Sequence, residues 1–216
     1  MTQGARFSRL DPQMRKALLI KATLLALKEY GFQGASIRKI CAQAGVSVGL
    51  ISHHYSGKDE LVAEAYLSIT EQVMRTLRSA VSVAGPGGRA RLSAFFHASF
   101  SPEMLAPELL DAWLAFWGAV KTAESINHAH KHSYGQYRSM LAQILLDLAE
   151  EHAWPAFDAD LAAVGLSALL DGLWLEFGLN PGAFSAPQGL QICEAWVDGL
   201  EAGGYRRFAR VETTLS

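Results

Sequence analysis

An all-α fold follows from three features of the 216-residue chain. Apolar residues recur at helical rather than alternating spacing in almost every segment. No valine-rich or isoleucine-rich run is bounded by turn signals, as a strand would be. Proline and glycine clusters then cut the sequence into helix-sized lengths. The composition, 50% hydrophobic and 19% charged, is that of a globular chain. At this length the core is large enough to fold without disulfides or a structural metal. The two cysteines, Cys41 and Cys193, make neither a CxxC pair nor a Cys/His zinc spacing, so a reducing, cytoplasmic location is expected. Residues 1–10 lack an apolar run of signal-peptide length, so export is not expected.

The first helix is expected over residues 12–30, with Pro12 suited to its first position, Leu18, Ala22, Leu25 and Glu29 at helical spacing, and Gly31 as its stop. Ser36 caps a second, short helix that presents Ile37, Ile40 and Cys41 before Gly45. Ser47 caps a third over residues 48–54. A fourth begins at Lys58 and carries Val62, Tyr66, Ile69, Val73 and Leu77 in one stripe, ending near Gly85-Pro86-Gly87-Gly88. Further helices are expected at 90–100, 102–120, 122–151, 158–179 and 187–202, separated where proline and glycine oppose continuation. Residues 161–179 are long enough to span a bilayer but contain Asp171 and Glu176. A mid-bilayer Asp costs about 2.5 to 3.5 kcal/mol, so a buried helix is expected and no membrane partner. The chain thus reads as a head (1–57), a connecting helix (58–84), a body (85–204) and a loose tail (205–216).

The formal net charge of -2 hides a division. Residues 1–60 hold nine basic and four acidic side chains, whereas the remaining 156 hold ten basic and seventeen acidic. A basic head on an acidic body suggests that the head meets a polyanion. Within it, residues 36–55 read as a helix-turn-helix. Gly45 supplies the positive φ of a tight bend, Val46 fills the angle, and Ile51 faces inward. Val48, Gly49, Ser52 and His53 are small or polar, as close approach to a major groove requires. Ser36, Arg38, Ser47, His54, Tyr55 and Lys58 complete the candidate DNA-contacting set, mainly toward phosphates. An αα-hairpin that only packs is the alternative.

The run from Gly34-Ala35-Ser36-Ile37 through Ala44-Gly45-Val46-Ser47-Val48-Gly49-Leu50-Ile51 to Lys58-Asp59-Glu60-Leu61 resembles the DNA-binding head of the TetR family of bacterial regulators. Ser52, His54 and Tyr55 depart from the usual Tyr, Tyr and Phe of that family. The run Gly49-Leu50-Ile51-Ser52-His53 resembles the BetI-type, choline-responsive subgroup. The resemblance implies a three-helix head, a connecting helix, and a body that binds a small ligand and forms a homodimer through its last two long helices. It further implies double-stranded operator DNA as partner, repression relieved by the effector, and no cofactor.

The body offers a candidate effector site. Trp113, Phe116, Trp117 and Val120 recur on one helix face, and Asp171 and Trp174 neighbour each other on a second, otherwise apolar helix. Aromatic faces attract a cation by roughly 0.5 to 2 kcal/mol each, and a carboxylate supplies the counter-charge, so a quaternary ammonium would suit both segments. A plain core is the competing reading, with Asp171 accepting from a Trp indole or pairing with an Arg. Residues 112–117 and 168–175 resemble segments of BetI-type repressors, which favours a choline-like cation; a non-cationic hydrophobic effector is the alternative. His128 and His132 lie one helical turn apart without a completing carboxylate or thiolate, so no metal site is expected. The sequence has no GxSxG, HExxH, GxGxxG or P-loop motif, leaving a small helical enzyme as the weaker class.

Overall fold

A computed structural model describes residues 11–52 and 55–210, and its elements among these residues are helices joined by turns. In chain order they are α1 (Pro12–Gly34), α2 (Ile37–Ala44), α3 (Val48–Ser52), α4 (Lys58–Val83), α5 (Gly88–Ser99), α6 (Pro107–Val120), α7 (Glu124–Glu151), α8 (Ala159–Leu179), α9 (Ala186–Glu201) and a final 3-10 helix (Gly204–Phe208). They form two compact units, Met1–Gln72 with Asp111–Ser133, and Val73–Leu110 with Tyr134–Ser216. The long helices α4 and α7 therefore each contribute to both units.

In the first unit, Asp11 caps α1 by accepting from the amide of Gln13, and Pro12 opens the helix. The helix is interrupted at Gly31, whose φ of 64° lies in the left-handed region. Its buried face is Leu19, Ala22, Thr23, Ala26 and Leu27. Leu18 and Leu25, expected on the inner stripe, are each 42% exposed. The inner face follows the i, i+3, i+4, i+7 spacing through small residues, which moves the two leucines to its edge. The helix α2 packs against α1, and α3 packs in turn against α2, with Ile40, Cys41 and Ile51 buried. Leu61, Val62, Ala65 and Tyr66 of α4 are fully buried, as the α4 stripe predicts.

The second unit is organised around α7, α8 and α9. The start of α5 approaches α7 so closely that a Cβ on Gly88 would lie 2.5 Å from the Leu148 amide nitrogen. The Glu151 carboxylate accepts from the Gly88 amide at 2.8 Å and so caps α5. Arg89 pairs with Glu194 and Asp198 of α9 at 2.7 and 2.6 Å. The N-cap of α8 is Asp158, accepting from Leu161, and Ser185 with Gln188 forms a capping box at α9.

Two boundaries differ from the sequence reading. The helix expected from 102 begins at Pro107, because the Ser101 carbonyl takes the amides of both Met104 and Leu105 in a turn. Residues 204–210 are docked rather than loose: Phe208 accepts from the Asp158 amide at 2.7 Å and the Arg210 amide donates to Ala156 at 2.8 Å. Tyr205 stacks on Trp154 at 4.8 Å, and Phe208 meets Phe157 and Trp196 edge-on. Aromatic burial plus paired backbone groups holds this segment.

Candidate functional site

The head is built by local rules. Ser36 Oγ accepts from the Lys39 amide, starting α2, and Gly45 ends it at φ 67° with its amide bonded to Ala42. The Ser47 carbonyl accepts from Leu50, and α3 follows at once. Because Ile51 is fully buried, the opposite side of α3 is fixed outward: Ser47, Val48 and Gly49 are exposed, as is Arg38 of α2. A Cβ at Gly49 would meet nothing within 4 Å, so that position is open to an approaching surface. His53 and His54 lie outside the described residues, as does the side chain of Ser52.

Lys58 and Tyr55 depart from the expected arrangement. Lys58 Nζ donates to the Phe32 carbonyl at 2.9 Å and sits 4.2 Å from the Phe32 ring centroid, and the residue is half-buried. The Tyr55 hydroxyl donates to Glu64, and burial together with that carboxylate raises its pKa. Both groups are engaged in tying α4 to the rest of the head, which argues against the phosphate role. Glu64 also accepts from Lys16 at 2.7 Å.

Of the aromatic face on α6, Phe116 is fully buried, and Trp113 and Trp117 are half-buried. Tyr66 of α4 is the centre of that cluster, edge-on to Phe116 at 5.0 Å and to Trp113 at 5.7 Å. The Tyr66 hydroxyl bonds His130 Nδ1 at 2.9 Å. Tyr66 was expected only as a core residue of the α4 stripe. His130 lies between His128 and His132 on α7 and is not among the ligand-site residues expected from the sequence. His128 and His132 are exposed, and no metal-competent group of three or more ligands occurs among the described residues.

On α8, Trp174 is buried and donates its indole N–H to the Ser99 carbonyl at 3.0 Å. Asp171 therefore does not accept from that indole. It makes no hydrogen bond and no ion pair among the described residues, although it is half-buried. Desolvation alone raises its pKa from 3.8 to about 7. An arrangement of this kind accommodates a cation: an arriving positive charge would restore the ionised carboxylate and offset its desolvation.

Residues 19–65 match the family model for bacterial regulatory proteins of the tetR family, and residues 86–201 match that for the C-terminal domain of BetI-type transcriptional repressors. The HTH-type transcriptional regulator BetI of Pectobacterium carotovorum subsp. carotovorum is 31% identical over 186 residues, covering 86% of this chain and 93% of its own. A protein of known structure from Pseudomonas aeruginosa PAO1, assigned as a transcriptional regulator, is 68% identical, with a TM-score of 0.92 over 95% of this chain and 99% of that one. A regulator from Saccharomonospora viridis, solved in complex with choline, shares the fold at a TM-score of 0.72 and 18% identity, covering 86% of this chain and 96% of that one.

Proposed function

The chain belongs to the TetR family and carries a BetI-type repressor C-terminal domain, and on that premise we propose that a small organic cation of the choline type releases it from its operator. It is a DNA-binding transcriptional repressor and not an enzyme. The observation that carries the effector reading is Asp171, a half-buried carboxylate with its pKa raised to about 7 and no partner among the described residues. A plain core residue would be matched by a donor, because an unmatched buried charge is costly. The choline held by the Saccharomonospora viridis regulator supports the same class of ligand.

Operator contact is assigned to Arg38, Ser47, Val48 and Gly49, which are exposed on the helix-turn-helix, with Ser36, Ser52, His53 and His54 as further contacts. Homodimerisation is assigned to α8 and α9. Leu161, Val164 and Leu179 of α8 and Ile192 of α9 are 51%, 45%, 56% and 41% exposed. A face this apolar is better explained by a second copy than by water. Two-fold symmetry then calls for a palindromic operator. To reverse a 99:1 preference for the DNA-competent state, the effector must favour the other state by about 5.5 kcal/mol.

Calorimetry with choline tests the effector reading. Binding that Asp171→Asn weakens at least tenfold is the expected result. Equal affinity in wild type and variant would return Asp171 to the core and leave an uncharged hydrophobic effector.

A further inference from the structure

Residues of α1 and of the first turns of α4 line a cleft of about 510 Å³ that lies wholly within the first unit. That volume is of the size that holds a small organic ligand. None of its lining residues belongs to α3 or to α8, so it is separate from both the operator-facing helix and Asp171. Leu19, Ala63 and Leu67 give it an apolar wall, and Arg15 stands beside them. Arg15 is half-buried, its Nε is buried without a hydrogen-bond partner, and its guanidinium makes no ion pair among the described residues. Two other buried polar atoms lack a partner, Arg89 Nη1 and the Tyr137 hydroxyl, but Arg89 is held by Glu194 and Asp198 and neither residue lines this cleft. The remaining charges of the cleft are engaged. Lys16 and Glu64 pair at 2.7 Å, and Glu64 also accepts from the Tyr55 hydroxyl. Glu60 accepts from the Ser56 amide and hydroxyl, each at 2.7 Å, and these bonds hold its carboxyl below the usual range.

A partly desolvated guanidinium is costly to leave unmatched, and its planar fork of N–H donors fits the two oxygens of a carboxylate. We propose that this cleft in the head is a second ligand site, for a small organic monocarboxylate whose charged group pairs with Arg15 and whose carbon chain lies on Leu19, Ala63 and Leu67. The charges around it set the valence. Arg15 and Lys16 offset Glu60 and Glu64 in formal charge, so a monoanion adds one negative charge, whereas a dianion would force a second beside the two glutamates. A DNA phosphate is the competing partner for an unpaired arginine. It suits the cleft less well, because binding to the DNA backbone is electrostatic and makes no use of the apolar wall.

Calorimetry on the full-length protein with hexanoate and with hexanamide, its uncharged counterpart, tests the site. Wild type should bind hexanoate at least tenfold more tightly than hexanamide. Arg15→Gln should lose that preference yet keep the wild-type Tm, because the charge it removes has no partner in the fold. Asp171→Asn should bind hexanoate within twofold of wild type. Absence of hexanoate binding, equal binding of the two probes, or a preference that survives in Arg15→Gln overturns the proposal. So does a hexanoate affinity that depends on Asp171, which would move the anion to the body, or a clear fall in the Tm of Arg15→Gln. Operator binding by Arg15→Gln without hexanoate should match wild type; a salt slope lower by about one unit would assign Arg15 to a DNA phosphate instead. Choline binding plays no part in these outcomes, so the cationic reading of the body stands or falls separately.

Discussion

The outer side of α3 and the Asp171 face of α8 meet water in opposite ways. In the head, Ser47, Val48, Gly49 and Arg38 stand in solvent, and they lose that hydration only on meeting a partner. In the body, Asp171 is already desolvated without a partner among the described residues, and its carboxyl has moved to about 7 as a result. A surface built to read a large polyanion gains from open, short side chains, whereas a site for a small ion gains from desolvation completed during folding.

The dimer face gives the largest expected effect. Leu161→Asp combined with Val164→Asp places two charges on exposed positions of α8, so the fold should survive while light scattering finds a 23.4 kDa particle in place of a dimer. Operator affinity measured by fluorescence anisotropy should fall about a thousandfold, because two linked half-site contacts become one. A variant that stays dimeric would remove α8 from the seam.

The head is next. Gly49→Glu meets no atom within 4 Å and replaces glycine in a helix, so Tm should not fall. Its added carboxylate would oppose DNA phosphates, and operator affinity should drop about a hundredfold. Unchanged affinity would mean that another face of the head approaches DNA.

The body differs by its pH dependence. If Asp171 is the counter-charge, choline affinity should fall about tenfold per unit as pH drops below 7 and level off above it, with Asp171→Asn showing a flat profile. Stability runs the other way. The folded state holds this proton more tightly than the unfolded chain, whose carboxyl keeps its ordinary 3.8. The contribution is therefore greatest below about pH 4 and declines as pH rises through 7. Denaturation of Asp171→Asn should lack that decline.

Lys58→Ala should have the smallest effect on operator binding. With its ammonium engaged by the Phe32 carbonyl and ring, removal should cost about 1 kcal/mol of stability and leave the slope of log affinity against log salt unchanged. A slope lower by about one unit would restore Lys58 to the phosphates.

Most of the helical order was legible because caps and breakers act within a few residues. Ser36, Gly45 and Asp158 work through bonds to neighbours three or four positions away, and Gly31 breaks α1 where the sequence suggests. The outward leucines of α1 were not legible, since the small residues Ala22, Thr23 and Ala26 mark the inner face as strongly as larger ones but weigh less in an apolar pattern. The docking of 204–210 depends on Trp154 and Asp158, about fifty positions away, and no local signal reports it.

The same boundary separates what the sequence settles alone from what needed the tertiary structure. The helix-turn-helix motif and the charge division of the chain identify a DNA-binding head, because the motif's geometry is made by contacts between near neighbours. The sequence also brings Asp171 forward as a carboxylate in an apolar run, but it does not say whether a donor meets it. Only the fold shows that the Trp174 indole is bonded to Ser99, that Lys58 and Tyr55 are engaged inside the head, and that the Tyr137 hydroxyl is buried without a partner. Desolvation and hydrogen-bond satisfaction depend on the packing of residues far apart in the chain, and no spacing along the sequence encodes them.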